Sequence, residues 1–401
     1  MPFTDKKEGA SAMFSSALNT LLLVANYPSD VGYAWWLMES FWAKLAEHYS
    51  GFNQVILTYP KIERLPEIIH KAPMQCVEFD FSGMSFRRIY EQCRFLRRNR
   101  VRAIYFTDKP TFHWLYGIYR FCGVKLIIVH DHTPGLRNHS NKALYVLKRI
   151  ISRLPYINID GALGATDFVR RRLIEINCVT PERAFAVPNG LPGLNTQPKP
   201  ANLHDLFQIP SERKIVIMVA RANRYKGIDF ILNCFKCLSQ GTRKQVHFLF
   251  VGDGPDIARF VASANQMGIA GNCTFAGKRN DVPSLLEGAD IAFHPSSGEV
   301  GYSLSILEYM RAGLPLIVPD NPSVCGATID GVSGFIYPVG DIHFVVRLLE
   351  RLINDNILRN KIGSQAREAA RHYNLETTHS HLINAFETID RNKILRNSKA
   401  F

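Results

Sequence analysis

Residues 295–319 read PSSGEVGYSLSILEYMRAGLPLIVP, and this stretch decides the fold of the carboxyl-terminal half of the chain. Apolar residues at helical spacing predict a helix over residues 301–312, directly after a loop rich in serine and glycine. Gly313 lies where a glycine commonly ends a helix, and Pro315 prevents the helix from continuing. The apolar run at residues 316–319 then predicts a strand. This order of loop, helix and strand is typical of a parallel sheet covered by helices.

Short apolar strands alternate with longer helical patterns along most of the chain. In the first half, strands are predicted over residues 20–25, 54–59, 103–107 and 125–129, and helices over residues 34–49, 85–99 and 112–122. In the second half, strands are predicted over residues 214–219, 246–251, 273–276, 291–294 and 316–319, and helices from residue 227 and over residues 342–354, 358–371 and 375–390, with a fraying tail beyond. Continuous Val, Ile and Leu runs indicate strands that are buried on both faces. We therefore predict an α/β protein with doubly wound parallel sheets.

A segment rich in proline, glycine and asparagine interrupts this alternation at residues 190–210. The chain of 401 residues is long enough for two domains, and such a segment is typical of a linker between them. We predict an amino-terminal domain over residues 1–195, a carboxyl-terminal domain over residues 196–375, and a helix with a tail over residues 376–401 that crosses back towards the first domain. Ligands of such sheets bind beyond the carboxyl ends of the strands, so two facing domains predict a cleft for two substrates.

The formal net charge of +13 favours a polyanionic partner: a nucleic acid, an anionic membrane surface or a phosphorylated substrate. Nucleic acid is disfavoured because no known binding motif is present. The eight cysteines are interpreted as reduced thiols, and Cys234 and Cys237 lack the second pair that a zinc site needs. No apolar run reaches the ~18 residues of a membrane span, and residues 10–25 lack the cleavage site of a signal peptide. We expect a cytoplasmic protein, either free or on the inner face of the membrane.

The predicted helix start near Gly301 has the properties of an anion site. The first amides of a helix have no intrahelical partner and lie at the positive end of the helix dipole. Glu308 follows two turns later and shares a face with Gly301 and Leu304. A carboxylate among apolar neighbours needs hydrogen-bond donors, which are either sugar hydroxyls or, in a purely structural role, loop amides or an arginine.

A cationic loop, ARANRYKGID at residues 220–229, follows the strand at residues 214–219. Its basic residues Arg221, Arg224 and Lys226 either neutralise a diphosphate or form an ordinary solvated loop. The sequence VGDGP at residues 251–255 places glycines at a strand-to-helix turn, which is weak evidence for a ligand.

Polar residues also end a strand of the first half, where residues 129–135 read VHDHTPG. His130, Asp131 and His132 lie at the predicted ligand edge of the first sheet. Two histidines suggest a metal, but a third ligand is not evident and no metal site is predicted. Either these residues contact an acceptor, or His130 is satisfied by a backbone carbonyl.

Taken together, the ordered motifs resemble the family-four retaining glycosyltransferases of the bacterial surface-polysaccharide type, glycosyl transferases group 1, which have the GT-B fold of two facing Rossmann-like domains. The matching stretches of the second half are ARANRYKG, FLFVGDGP, FAGKRNDV, LLEGADIAFHPS, GYSLSILEYMRAGLPLIV and DGVSGFIYPVGD. Those of the first half are VHD, VPNG and IDGALGATDFVRR.

The resemblance implies transfer of a sugar from a nucleotide-sugar, UDP- or GDP-linked, to a saccharide or lipid-linked saccharide, without a metal or another cofactor. The implied catalytic residues are His130, Arg221, Lys226 and Glu299. The implied donor-binding residues are Gly252, Lys278, Arg279, Gly301, Tyr302, Ser303, Leu304 and Glu308. The implied acceptor-side residues are Gly32, Asp131 and His132. Two other functions fit the same motifs: a GT-B-fold sugar-nucleotide epimerase, or an inactive partner subunit that only binds the sugar nucleotide.

The chain departs from the family pattern at three places. Eight residues separate Glu299 from Glu308 where the family has seven, so either the loop bulges or the Glu299 contact with the sugar is lost. Gly32 stands alone where two glycines are common, and Ala165 and Thr166 replace a usual serine. These departures affect sugar and acceptor choice more than the fold.

A basic amphipathic helix is predicted within residues 85–102, SFRRIYEQCRFLRRNRVR. Its apolar residues lie at helical spacing and its arginines surround them. It either lies on anionic lipid or packs on its own sheet with a solvated basic face.

Overall fold

The computed structural model describes residues 19–30, 35–50, 54–137, 141–154, 156–194 and 198–398, with side chains to residue 395. The chain forms two compact units: the first holds the described residues of Met1–Thr133, Arg137–Asn189 and Thr378–Phe401, and the second those of Pro134–Leu136 and Gly190–Thr377. Gly32 and most of the stretch at residues 10–25 lie outside the described residues.

The first unit contains a seven-stranded parallel sheet with the order β3-β2-β1-β4-β5-β6-β7. Its strands are β1 Thr20–Val24, β2 Gln54–Tyr59, β3 Gln75–Glu78, β4 Val101–Thr107, β5 Leu126–Asp131, β6 Gly161–Gly164 and β7 Ala184–Ala186. Its helices are α1 Trp35–Tyr49, α2 Glu67–Lys71, α3 Phe86–Arg98, α4 Trp114–Phe121, α5 Lys142–Ile151 and α6 Asp167–Glu175.

The second unit contains a six-stranded parallel sheet with the order β10-β9-β8-β11-β12-β13. Its strands are β8 Lys214–Val219, β9 Val246–Val251, β10 Cys273–Phe275, β11 Ile291–Phe293, β12 Leu316–Pro319 and β13 Phe335–Tyr337. Its helices are α7 Leu203–Phe207, α8 Ile228–Cys237, α9 Gln240–Lys244, α10 Ile257–Gln266, α11 Val282–Glu287, α12 Leu304–Ala312, α13 Ile342–Asn354 and α14 Asn356–Ala370.

The predicted fold class, α/β with two Rossmann-like parallel sheets, is confirmed. In each sheet the strand order reverses between two central strands, β1 and β4 in the first and β8 and β11 in the second. Connections leave in opposite directions at such a point, so the carboxyl ends of these strands border a crevice where ligands bind. We call these places the β1/β4 edge and the β8/β11 edge.

The central strands are buried because helices cover both faces of each sheet. In β8, Ile215, Val216, Ile217 and Met218 are all inaccessible to solvent. Val216 and Met218 belong to an apolar core shared with α8, α10 and α13. These central strands give the loops at the β8/β11 edge a rigid base.

The last helix, α15, spans Leu375–Ser398 and packs on the first unit. The Thr378 hydroxyl donates to the Pro188 carbonyl at 2.7 Å, and Lys393 Nζ lies 2.6 Å from an Asp160 oxygen. The helix predicted over residues 375–390 therefore extends further, to Ser398. The helix continues because Lys393 forms an ion pair with a buried carboxylate.

Helix α3 packs on its own unit through part of its surface, while Phe86 and Tyr90 remain exposed. Gln92 and Leu96 are buried, and Gln92 donates to the Gly83 carbonyl at 2.9 Å while accepting from the Tyr119 hydroxyl at 2.8 Å. Arg87 and Arg88 lie at the solvated side and pair with Glu91. Within the described residues, no helix has both the length and the apolar character that crossing a bilayer requires.

Gly252 follows β9 with a backbone that favours glycine, at φ 143°. A Cβ atom at this position would lie 1.9 Å from the Ala220 carbonyl oxygen. The glycine is thus required by the close approach of the turn to the loop after β8. This packing role accounts for Gly252 without any ligand contact.

We expect Gly252→Ala to lower the free energy of unfolding by about 1–3 kcal/mol, because the methyl group forces the two loops apart. Urea denaturation of the full chain measures the change. Gly271→Ala is the control, since a Cβ atom there would meet nothing within 4 Å and its φ is not positive. Equal stability of the two variants would contradict the packing role.

Candidate functional site

Two loops meet at the β8/β11 edge, one after β8 and one after β11. The Tyr225 carbonyl accepts hydrogen bonds from the Ser297 amide at 2.8 Å and from the Ser297 hydroxyl at 3.1 Å. The two loops that the sequence separates by about seventy residues are thereby joined at the ligand edge of the sheet.

A buried ion pair links the same two loops. Lys226 Nζ lies 2.5 Å from Glu299 Oε1, and both side chains are nearly inaccessible to solvent. Burial by itself raises the pKa of Glu299, but the Lys226 charge and a hydrogen bond from His294 outweigh it and lower the pKa to about 2. The Glu299 carboxylate is therefore ionised at neutral pH, inside the protein.

His294 is the third member of this group, and it was not among the residues predicted from the sequence. Its Nε2 lies 3.0 Å from Glu299 Oε1 and 3.3 Å from the Ser303 hydroxyl. Burial lowers the pKa of His294 despite the neighbouring carboxylate, so the ring is neutral and donates from Nε2. The only sequence signal is its place, a polar residue directly after the apolar strand β11.

The start of α12 differs from the prediction. The helix begins at Leu304 and not at residue 301, and the Ser303 hydroxyl caps it by accepting from the Ile306 amide at 3.3 Å. Gly301, at φ 109°, donates its amide to the Ser323 carbonyl at 2.8 Å. Gly301 therefore does not offer a free amide. Within the described residues, the amides of Leu304 and Ser305 are the ones left without an acceptor at this helix start.

A third loop, after β12, supports the loop after β11. Asn321 Oδ1 accepts from the amide and hydroxyl of Ser323 at 3.0 and 2.8 Å, while its Nδ2 donates to the Ser297 carbonyl at 2.9 Å. The Ser323 hydroxyl accepts weakly from the Glu299 amide at 3.4 Å. Asn321 and Ser323 thus fix the backbone that carries Glu299, a role that was not predicted from the sequence.

The basic residues of the cationic loop have different surroundings. Arg224 is held by Asp256, whose carboxylate accepts from the Arg224 amide at 3.0 Å and lies 3.8 Å from its guanidinium. Arg221 is exposed, and Lys226 is buried against Glu299. Arg224 is thus tied to Asp256 mainly through its backbone amide, and all three basic residues lie in the loop at the β8/β11 edge.

Glu308 lines a hollow of the second unit together with Arg311, Pro198, Val282 and Leu286. Burial raises the pKa of Glu308 to about 7, although the Arg311 charge opposes the shift. No hydrogen-bond donor to its carboxylate occurs among the described side chains and amides. A half-buried carboxylate that accepts no hydrogen bond, in a hollow lined by apolar side chains together with Arg311 and Glu287, is suited to accept from hydroxyl groups of a ligand.

The other predicted donor-binding residues, Lys278, Arg279 and Tyr302, have different surroundings in the second unit. Arg279 forms two hydrogen bonds to Asp281, at 2.8 and 2.6 Å, and its guanidinium lies over the Phe207 ring. Lys278 is exposed. The Tyr302 ring is buried and packs edge-on against Tyr373, with 5.2 Å between centroids.

The β1/β4 edge of the first unit carries neutral polar groups. His130 lies within β5 and is inaccessible to solvent, and its Nδ1 lies 2.7 Å from the Tyr105 hydroxyl. A tyrosine, and not the backbone carbonyl that was one alternative, therefore satisfies one nitrogen of this ring. Burial lowers the pKa of His130 and lowers that of His132 to about 4, so both rings are neutral at pH 7.

Several buried polar atoms near these histidines have no partner among the described residues. They are Nε2 of His130, Nε2 of His132, the hydroxyl of Thr107 and the hydroxyl of Tyr27. The His130 and His132 rings lie 4.1 Å apart by centroid. Since buried polar groups are normally hydrogen-bonded, this cluster indicates a place for a polar ligand. No group of three or more metal-ligating side chains occurs in the part of the chain that the structure describes.

Asp131 and Asp108 flank this cluster in different roles. Asp131 pairs with buried Arg172 at 3.0 Å and accepts from the Thr133 amide at 2.9 Å, so it fixes the loop after β5. Asp108 follows β4 at a positive φ of 52° and accepts the His132 amide at 2.6 Å. Solvent reaches Asp108, but the surrounding protein desolvates it enough to raise its pKa to about 6. Asp131 was predicted from the sequence as a site residue, and Asp108 was not.

Comparisons with known proteins agree with this architecture. Residues 202–369 match the family described as glycosyl transferases group 1. Among curated relatives, the phosphatidyl-myo-inositol mannosyltransferase of Mycobacterium leprae is 25% identical over 58% of this chain and 60% of that protein. The lipopolysaccharide glucosyltransferase WaaG of Escherichia coli is 28% identical over 36% of this chain and 39% of that protein. The matches thus span about two fifths to three fifths of the length of these relatives.

Solved structures share the fold over nearly the whole chain. Anabaena HepE in complex with UDP-glucose gives a TM-score of 0.71 at 15% identity and covers 92% of this chain and 99% of that chain. WaaG, involved in lipopolysaccharide biosynthesis, gives a TM-score of 0.62 at 16% identity, with coverage of 88% and 95%. Identities this low establish a common fold and nothing finer.

We expect Glu299→Gln to lower the free energy of unfolding by about 3 kcal/mol, because the buried Lys226 charge loses its counter-charge. The folded-state pKa of Glu299 lies below its ordinary value of 4.5, so its stabilising effect is present above pH 4.5 and is lost as the pH falls towards 2. Urea denaturation between pH 7 and 3 measures both effects.

The double variant Glu299→Gln/Lys226→Met should recover much of the loss, since it removes both charges. Glu368→Gln breaks the exposed pair with Arg371 and is the matched control, for which we expect less than about 1 kcal/mol. If Glu299→Gln is no less stable than this control, the ion pair is not the constraint we describe.

Proposed function

We propose that this chain transfers a sugar from a nucleotide-sugar to a saccharide or lipid-linked saccharide in polysaccharide or glycoconjugate biosynthesis. Residues 202–369 match the glycosyl transferases group 1 family, and the chain has the GT-B fold. The observation that carries the proposal is the pairing of Lys226 with Glu299 beside the uncapped amides of Leu304 and Ser305. The Lys226 ammonium group and the amides at the helix start both lie at the edge where an α/β sheet binds its ligands.

The donor diphosphate lies against this edge. Lys226 uses one ammonium hydrogen for Glu299, which leaves two for phosphate oxygens. Arg221 and the amides of Leu304 and Ser305 supply further donors to the diphosphate. These groups do what a divalent cation does in other enzymes, so the step needs no metal and no cofactor.

Glu308 binds the ribose, with its carboxylate accepting from the sugar hydroxyls in the hollow beside Arg311. UDP is the favoured nucleotide, because HepE, which shares the fold, was solved with UDP-glucose. Glu299 is turned inward to Lys226 and His294, so its role is to position Lys226 and not to contact the donor sugar. With the longer spacing between Glu299 and Glu308, Glu299 thus makes a structural contact instead of a contact with the sugar.

Transfer with retention fits this set of groups. The acceptor hydroxyl attacks the anomeric carbon on the face that the diphosphate leaves, the bond from that carbon to the phosphate oxygen breaks, and the hydroxyl proton passes to the departing phosphate. Lys226, Arg221 and the α12 amides stabilise the charge that develops on the diphosphate. His130 and His132 are neutral, so they add no charge to the groups that stabilise the diphosphate.

The acceptor is bound by the first unit. Its β1/β4 edge offers the orphaned polar atoms of Tyr27, Thr107, His130 and His132, with the Asp108 carboxylate beside them. A sugar carries several hydroxyls, each a donor and an acceptor, and so satisfies such a mixed set. The enzyme works in the cytoplasm, at the inner face of the membrane when its acceptor is lipid-linked.

We expect Arg221→Ala to lower kcat for UDP release from UDP-glucose by roughly 10²–10³-fold, because the leaving diphosphate loses a cationic partner. Lys226→Arg keeps the charge but changes its geometry, and a loss of similar size is expected. Arg224→Ala is the control, since Arg224 is held by Asp256. Unchanged turnover in both Arg221→Ala and Lys226→Arg would refute the diphosphate site. Conversion of the donor sugar into its epimer in the absence of an acceptor would refute transfer as the reaction.

Donor binding should depend on pH through Glu308. With a pKa of about 7, its carboxylate is mostly protonated at pH 6 and ionised at pH 8, so the Kd for UDP-glucose should fall up to about tenfold over this range. Glu308→Gln should bind weakly with no pH dependence, as isothermal titration calorimetry measures. His130 and His132 stay neutral throughout this window. The same pH dependence in wild type and Glu308→Gln would exclude Glu308 as its cause.

A further inference from the structure

Helix α5, Lys142–Ile151, buries none of its side chains although it is well formed. The Asn141 side chain caps its start by accepting from the Leu144 amide at 2.8 Å. At its other end, buried Asn158 donates to the carbonyls of Ile151, at 2.9 Å, and Leu154. Tyr145, Lys148 and Ile151 are half-buried, and no side chain of the helix is fully buried. A ten-residue helix with so little tertiary burial is marginal in water, so a partner surface would stabilise α5.

The apolar arc of α5 faces solvent. At 3.6 residues per turn, one side of the helix and its extension carries Leu144, Val146, Leu147, Ile150 and Leu154. Their side chains are 45%, 53%, 50%, 56% and 45% exposed. Tyr156, just beyond, is 66% exposed. A surface helix normally turns such an arc to the core, so the outward orientation indicates an apolar or interfacial partner.

The polar side of the same helix is basic. Lys142, Lys148, Arg149 and Arg153 lie on or directly after α5. No Asp or Glu occurs from residue 132 to residue 159, a stretch that contains five Lys and Arg residues. Cations beside an apolar arc complement a surface of anionic headgroups over hydrocarbon, and a helix of this kind lies flat in that interface.

We propose that α5 is an interfacial helix that docks the chain on an anionic lipid surface, with Leu147 and Ile150 inserted and Arg149 and Arg153 at the headgroups. The proposal accords with a lipid-linked acceptor in the proposed function but rests on separate residues. Helix α3 also exposes two aromatic residues, Phe86 and Tyr90, beside its arginines, but it is anchored in the protein through Gln92 and Leu96 and pairs its first arginines with Glu91. We assign the lipid contact to α5 because its exposed apolar arc is the longer one, and an α3 variant in the test separates the two helices.

The test is co-sedimentation of the full chain with vesicles, without donor or acceptor. One set is phosphatidylcholine alone, and the other contains about one third phosphatidylglycerol. We expect binding to the anionic set, weakened by salt, and little binding to the neutral set. Leu147→Ser/Ile150→Ser should reduce binding at least about tenfold, and Arg149→Gln/Arg153→Gln should reduce it several-fold on the anionic set only.

Two matched controls separate α5 from other surfaces. Ile357→Ser removes an exposed isoleucine from α14, and Arg94→Gln/Arg98→Gln removes two arginines from α3. Both should bind vesicles as wild type does. Circular dichroism verifies folding, and because the arginine variant alters only surface charge, it tests the proposal even where the serine variant is unstable.

The proposal is overturned if wild type ignores anionic vesicles, if both α5 variants bind like wild type, or if the α3 variant loses binding instead. A wild-type dimer that the serine variant dissociates, without vesicle binding, would assign the arc to a second copy of the chain and also overturn it. Failure of UDP-glucose binding would leave these outcomes unaffected, so failure of the proposed function is distinguishable.

Discussion

The buried contact of Lys226 with Glu299 is the constraint on which the second unit's site depends. An ammonium group loses hydration when it is buried, and only an ionised, well-placed carboxylate offsets that loss. The pKa of Glu299, about 2, shows that the surroundings favour its ionised form. His294 donates to the carboxylate, and Ser323 holds the backbone that carries it. A cation with spare hydrogens is thereby fixed at the edge of a rigid sheet instead of moving on a flexible stem.

The same strand order produces two edges of opposite chemical character. Both sheets reverse their order at the centre, so both place loops around a crevice. At the β8/β11 edge these loops carry Lys226 and Arg221, as an anionic ligand requires. At the β1/β4 edge they carry neutral His130 and His132 with unpartnered hydroxyls, as an uncharged polar ligand requires. Topology therefore determines where ligands bind, and the side chains determine which ligands.

Long, continuously apolar strands could be predicted from the sequence, whereas features that depend on tertiary contacts could not. The strands at residues 54–59, 214–219, 246–251 and 316–319 were predicted to the residue, because continuous apolar runs fit only the centre of a covered sheet. The strands β3, β6, β7 and β13 were missed, because each is only three or four residues long and none forms a continuous Val, Ile and Leu run. The start of α12 was misplaced because the Ser323 carbonyl takes the Gly301 amide. His294 and Asp108 were missed because only neighbours distant in sequence give them a role.

The net charge alone could not distinguish a phosphate-binding site from a membrane-facing surface, but the distribution of the basic residues does. The site at the β8/β11 edge uses few cations, and Glu299 neutralises one of them. Residues 85–102 carry seven arginines against one glutamate, and residues 132–159 carry five basic residues against no acidic one. Most of the excess of +13 therefore lies on the outside of the first unit and not at the proposed diphosphate site. Helix α3 holds to its unit through Gln92 and Leu96 but exposes Phe86 and Tyr90. Helix α5 combines basic charge with a continuous exposed apolar arc, the combination that an anionic bilayer surface complements.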